Sequence, residues 1–247
     1  MMVFENRSAL DAFYFVVVTV STVGYGDIHP DSPMGKILTI GIILVGVGCF
    51  VGLAASSLDL MIEERERESR LRNLNMIVGV FFSEVGTQIL RNFSSHDPNV
   101  ETIRSTLLIS NSWSDEDFSK ALISFKEHVP ILDSRSIDLQ ELKQFLSDRR
   151  NFLLTLFGHP QIIEHEGFTP VLQAVFHLAE ELDSRKQFSD LPATDYAHLS
   201  GDINRVYGLL IIEWLTYMRH LKTHYPYLFS LAMRTNPFDA NASVIVR

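Results

Sequence analysis

The chain has 247 residues, a formal net charge of −9 and charged side chains at 21% of its positions. That acidic surplus disfavours nucleic acid as a partner. A single cysteine, Cys49, leaves no disulfide within one chain, and no serine stands in a nucleophile-elbow motif, so no enzyme is expected.

Charge is segregated along the chain. Ser8 is suited to cap a helix whose first turn carries Asp11, and the apolar run that follows ends at Val20. At about 12 residues it is too short to span a bilayer and suits a re-entrant helix that dips in and turns back. Irregular backbone at membrane depth is tolerated only where protein buries it or it lines water. Next comes Thr22-Val23-Gly24-Tyr25-Gly26-Asp27, a hexapeptide expected by chance with a frequency on the order of 10⁻⁸ per position. Gly24 and Gly26 permit positive φ angles, which lets successive carbonyls point toward one line. From Ile37 to Leu58 no residue is charged. A helix of that length rises about 33 Å, enough to cross a hydrocarbon core of about 30 Å. It starts too late, is too long and lacks the basic leader of a signal peptide. Arg65, Arg67, Arg70 and Arg72 follow it and mark its C-terminal end as cytoplasmic.

On these residues, positions 8 to 60 resemble the pore region of tetrameric potassium channels. The resemblance implies four copies around one axis, with the carbonyls of Thr22, Val23, Gly24 and Tyr25 and the Thr22 hydroxyl forming stacked oxygen rings. Those rings replace the hydration shell of K⁺, the permeant ion. Gly26 completes the selectivity filter. Val23 and Tyr25 are expected to turn into surrounding protein, where Tyr14 and Phe15 supply an aromatic collar. Asp27 marks the outer mouth, with Asp31 and Glu5 adding acid that concentrates cations. The re-entrant helix aims at the pore centre its C-terminal end, which carries about half a negative charge. Some family members carry a carboxylate four residues before the filter threonine, where this chain has Val18. Gly46, twenty residues after Gly26, stands where the family commonly has its gating hinge; packing alone is the other reading. Gly48 and Gly52 form a small-xxx-small pair suited to close helix contact. The family plan also includes an outer spanning helix, which Met1 to Arg7 cannot supply. The expectation is that in-frame DNA upstream encodes some 20 more apolar residues; the alternative is a shortened subunit that relies on another chain.

Beyond Asp59 the composition stays helical. Glu63 with Arg67, Glu66 with Arg70 and Glu68 with Arg72 are i,i+4 pairs in the favourable order. Cap signals recur at Asp97-Pro98, at Ser114 before Asp115-Glu116-Asp117, at Asp138 with Glu141 before Leu139 to Leu156, and at Thr169-Pro170. Gly158, Pro160, Pro130 and Pro226 punctuate the helices. Neither a Gly-x-Gly-x-x-Gly after a strand, nor an EF-hand, nor alternating strands are found, so the familiar nucleotide and calcium regulatory domains are not expected. The acid run 115–117 reads as dipole stabilisation rather than a metal grip. His220 with His224 have zinc-ligand spacing but lack companions. His177 with Glu180 and Glu181 reads as a polar helix face, and His159 and His165 as surface residues. Trp113 and Trp214 are expected as core or interface anchors.

The fold expected is an all-α membrane protein: a pore region over residues 1–60 with re-entrant helix, filter and inner helix, a helical linker over 61–74, and an all-α cytoplasmic domain over 75–247. The function that follows is a potassium-selective channel subunit, a homotetramer contacting lipid in the plasma membrane, or the inner membrane of a bacterium. Its gate would answer an unknown cytoplasmic ligand or protein. The alternative is a non-conducting, membrane-anchored interaction or regulatory subunit.

Overall fold

The computed structural model describes residues 7–126, 130–163 and 167–245, with backbone alone described at 66–73, 126, 161 and 163. Every described regular element is helical. The chain divides into two compact units, Met1–Ser69 and Arg70–Arg247. Glu5 and His165 lie outside the described residues, as do the side chains of Glu66, Arg67, Glu68, Arg70 and Arg72.

In the first unit, α1 (Ala9–Val20) begins where expected, because the Ser8 hydroxyl accepts the Asp11 N–H at 3.1 Å. The long helix α2 (Pro33–Phe81) opens with a proline at its first position and with the Ser32 hydroxyl accepting the Gly35 N–H at 3.0 Å. Its stretch Pro33–Arg65 is long and apolar enough to cross a membrane, with a mean hydropathy of 2.6 and 0% of that apolar window buried. An apolar helix face left uncovered by its own chain finds its partners in lipid or in other chains.

In the second unit, α2 runs into a five-residue π turn, Phe82–Gly86, and then α3 (Thr87–His96). A Cβ on Gly86 would lie 2.6 Å from the Phe82 ring and 2.9 Å from that of Phe81, so glycine lets the π turn close over two buried aromatics. There follow α4 (Val100–Leu107), α5 (Asp115–Lys126), α6 (Leu139–Asp148), α7 (Arg150–Phe157), the single turn α8 (Pro160–Ile163), α9 (Phe168–Asp183), α10 (Ala193–His224) and α11 (Pro226–Arg234). The axis of this unit is α10, whose 32 residues rise about 48 Å. It buries Leu199, Ile203, Val206, Leu210, Trp214 and Met218 at helical spacing, against Leu172, Val175, Leu178 and Leu182 of α9. Each such side chain contributes roughly 1.5–3 kcal/mol by leaving water. Arg185 closes the α9–α10 connection, donating to both oxygens of Asp195 at 2.9 and 2.7 Å. The segment after Pro130 is stitched to α10 through Asn204, which exchanges hydrogen bonds with the Leu132 backbone at 2.8 and 3.0 Å. The C-terminal tail is held by Asn236, donating to Leu107 O at 2.8 Å, and by Phe238 against Trp214.

Three sequence expectations shift. The helix read from the Thr169-Pro170 signal starts at Phe168, with Gly167 at its cap and no capping side chain, and the Thr169 hydroxyl donates to Ile162 O instead. The Asp97-Pro98 signal opens a turn, and α4 starts at Val100, with Asp97 Oδ1 accepting the Asn99 N–H at 2.8 Å. Leu139 to Leu156 is two helices, because Arg149 leaves helical geometry at φ −97° and ψ 1° and its N–H tightens onto Leu146 O at 3.2 Å. The Asp138 cap itself forms, accepting from Gln140 and Glu141 N–H at 3.0 and 2.9 Å.

Glu213 is buried on α10, at 5% exposure. Burial pushes its carboxyl up from 4.5 to about 7. The folded state therefore keeps a proton that the unfolded chain gives up, so this stabilisation is complete below about pH 4.5 and is lost as pH rises through about 7. Across that window the fold should lose about 3 kcal/mol. Denaturant unfolding of the full chain in detergent should show the loss between pH 5 and pH 8, and Glu213→Gln should flatten it and be the more stable chain at pH 8.

Candidate functional site: the loop after the first helix

The loop Ser21–Asp27 hangs from the end of α1. Val18 O accepts the N–H groups of both Val23 (3.1 Å) and Gly24 (3.3 Å), while Thr22 N–H donates to Thr19 O at 3.1 Å. These bonds use the helix's orphan carbonyls and fix where the loop departs. Thr22, Gly24 and Gly26 are left-handed, with φ of 58°, 57° and 75°, and alternate with Val23 and Tyr25, which are not. Alternation of the two hands brings successive peptide planes round so that like groups share one side. The glycines reach this conformation without penalty, whereas Thr22 costs about 1–2 kcal/mol there. The sequence pointed to positive φ at the two glycines; a β-branched residue offers no such signal, and Thr22 was missed.

Asp27 is tied back to α1, accepting the Tyr14 hydroxyl at 2.9 Å and its neighbour Ile28 N–H at 3.1 Å. His29 Nδ1 lies 3.3 Å from Asp31. Behind the loop lies a cavity of ≈ 190 Å³ lined by Tyr14, Phe15, Val18, Gly24, Asp27 and Thr39, among others. Phe15 is buried, but within one chain Val23 and Tyr25 are 52% and 71% exposed. The aromatic collar expected around them is thus not supplied by their own chain. On α2, a Cβ at Gly46 would sit 2.6 Å from Val20 Cγ2, so here α2 packs closely against the end of α1. The helix continues unbroken through Gly46. At Gly48 and Gly52 a Cβ would meet nothing within 4 Å, which leaves that face open.

The remaining candidates lie in the second unit. Ser114 and Asp117 form a reciprocal cap (2.6 and 3.3 Å), Glu116 pairs with Lys120 at 2.9 Å, and Asp115 pairs with Arg219, so the acid run is taken up by the helix start. His220 and His224 stack with ring centroids 4.4 Å apart beside a cavity of ≈ 500 Å³. Burial, then His224, lower the His220 pKa to about 4. His159 is partly buried instead of exposed. Trp214 is buried, and Trp113 packs edge-on against Phe118 at 5.0 Å. His177 approaches Glu181 together with His198 and Asp202 of α10, two residues that sequence reasoning missed. The signal was there as a second His-x-x-x-carboxylate spacing.

The comparisons with known proteins divide the chain in the same way. Residues 1–63 match the ion channel family model, and residues 70–234 match the model for the C-terminal helical domain of the uncharacterized protein MJ1433. MJ1433 of Methanocaldococcus jannaschii is 44% identical over 201 residues, covering 80% of each protein. The chain belongs to the MJ1433 family. Its N-terminal part places it in the potassium-channel pore-domain family as well. There it is 37% identical over 76 residues to two-pore potassium channel 2 of Arabidopsis thaliana, a match over 29% of this chain and 17% of that protein. It is 46% identical over 41 residues to the voltage-gated potassium channel of Aeropyrum pernix, over 17% and 14% of the two chains. No solved structure matches.

For an MJ1433-family chain built this way, the Gly46 contact gives a compensation test. Gly46→Ala should destabilise the purified full chain by roughly the 1–3 kcal/mol typical of overpacking, read as a lower melting temperature. Adding Val20→Ala, which clears the clashing methyl, should restore most of it.

Proposed function

We propose that four copies of this chain surround a pore in which the carbonyls of Thr22, Val23, Gly24 and Tyr25, with the Thr22 hydroxyl, take the place of water around K⁺. Gly26 closes the filter, and Asp27 forms its outer mouth. The observation that carries this reading is the alternation of left-handed Thr22, Gly24 and Gly26 with Val23 and Tyr25. Such alternation is the kind of backbone in which consecutive carbonyls can share one side, as a column of cation sites requires. A fourfold assembly also accounts for surfaces that one chain leaves bare: the Val23 and Tyr25 side chains and the apolar face of α2. Asp27, anchored by Tyr14, and Asp31 keep negative charge at the entrance and raise the local cation concentration.

In this reading Gly46 is the pivot at which the inner helices part, and residues 75–247 form a cytoplasmic domain that works the gate through the continuation of α2 to Phe81. Residues 1–60 are the pore region and 61–74 the helical link. The membrane is the plasma membrane, or the inner membrane in a bacterium.

The complete gene product, reconstituted into liposomes, should pass K⁺ in large preference to Na⁺. Gly24→Ala should cut that flux by at least roughly tenfold. Within one chain nothing lies within 4 Å of the added methyl, and φ is +57°, so the change strains the backbone conformation the loop needs. Equal flux of the two ions, or none from an intact fourfold complex, would remove the proposal.

A further inference from the structure

Helices α9 and α10 each carry a histidine and a carboxylate four residues apart: His177 with Glu181, and His198 with Asp202. On a helix this spacing puts both groups on one face, and the two faces meet. His177 Nε2 lies 3.7 Å from Asp202 Oδ2 and 3.9 Å from Glu181 Oε1. His198 Nε2 lies 3.4 Å from the same Asp202 oxygen and 3.5 Å from Glu181 Oε2. Direct N–H···O bonds run about 2.7–3.2 Å, so none of the four contacts is one. Their lengths instead approach the roughly 3.4 Å that separates neighbouring ligands of a tetrahedral ion with bonds of about 2.0–2.1 Å.

Asp202 supplies a second, independent observation. Its side chain is only 5% exposed. Its Oδ2, which faces both imidazoles, accepts no hydrogen bond among the described residues. A buried carboxylate oxygen left this way is costly unless a cation meets it. The surrounding charges fit. Arg185 donates to Glu181 Oε2 at 2.8 Å, holds that carboxyl below its ordinary pKa and leaves Oε1 toward His177. Arg185 is itself matched by Asp195 at 2.7 Å, and the exposed Arg205 lies 3.6 Å from the other Asp202 oxygen. Among the described residues no three such donors yet surround one centre. The imidazoles, 47% and 52% exposed, have room to rotate toward a common centre.

We infer that His177, Glu181, His198 and Asp202 bind one divalent transition-metal ion, zinc in the first place, which clasps α9 to α10. Two neutral imidazoles and two carboxylates are a donor set suited to zinc, and the carboxylates offset its charge.

The test uses the full chain in detergent, stripped with chelator and titrated with zinc chloride and, separately, cobalt chloride. The expected result is one ion per chain, a raised melting temperature, and a cobalt visible spectrum of the tetrahedral type. His177→Ala, His198→Ala and the near-isosteric Asp202→Asn should each weaken uptake by roughly tenfold or more, and His220→Ala should leave it unchanged. Absence of saturable uptake by the folded chain, or uptake that survives loss of both histidines, overturns the inference. So does a melting shift that needs both histidines and acid but no metal, which would assign the cluster to protons. No ion flux is read, so the outcome is independent of the pore reading.

Discussion

A potassium ion gives up water only where oxygen atoms are already in place to receive it, and in a folded chain the cheapest dense source of oxygen is the backbone. Ordinary strands cannot serve, because their carbonyls alternate from side to side. The constraint is therefore one of handedness: every second residue must adopt a conformation that side chains resist. Here two of the three left-handed positions are glycine and the third is Thr22. The strained residue is thus the one whose hydroxyl the pore reading needs at the inner end of the filter. Strain of this kind persists only when neighbours over-determine it, and the paired bonds to Val18 O and the Tyr14–Asp27 tether supply that restraint from both ends of the loop.

The two units solve opposite solvent problems with the same element. In the second, helices hide their apolar stripes against one another, and even Glu213 is drawn into the interior. In the first, the apolar surface of α2 faces outward. Burial within one chain contributes little there, which is why Phe15 is the one large side chain described in that unit to reach deep burial. In the pore reading, what stabilises such a unit comes from lipid and from other copies. Glycines at 48 and 52, with open space where a side chain would stand, are consistent with close approach by another helix.

Much of this was legible in the sequence because the signals were local. Ser8, Asp138 and Ser114 act within one turn of themselves, and their caps form where read. The positive φ angles at Gly24 and Gly26 were legible because glycines state a backbone requirement directly. The errors came where tertiary packing overrides a local preference. Arg149 breaks what the leucine spacing draws as one helix, with its guanidinium 3.7 Å from Glu84 in the π turn. The π turn itself, closed by Gly86 over Phe81 and Phe82, left no readable mark, since one inserted residue shifts a helical period without erasing it. Nor could one sequence place His198 and Asp202 beside His177 and Glu181, because the pairing of α9 with α10 is a long-range fact.

That pairing bears on how a signal could travel within the second unit. A ligand shifts a conformational equilibrium only by binding its two states unequally, so a clasp between α9 and α10 matters only if the position of α10 differs between them. The same helix that carries His198 and Asp202 carries Tyr217, fifteen residues beyond Asp202 and so about 22 Å along the axis. Tyr217 stacks on Phe82 at 5.5 Å and 16°. Its hydroxyl also lies 2.6 Å from where a Cβ on Gly79 would stand, near the end of α2. A rigid helix displaced at one end must move at the other, and at this end Tyr217 meets both Phe82 and the backbone at Gly79. The stacked ring and the close approach at Gly79 are the contacts through which a rearrangement at one end of α10 would be felt at the end of α2, within the second unit.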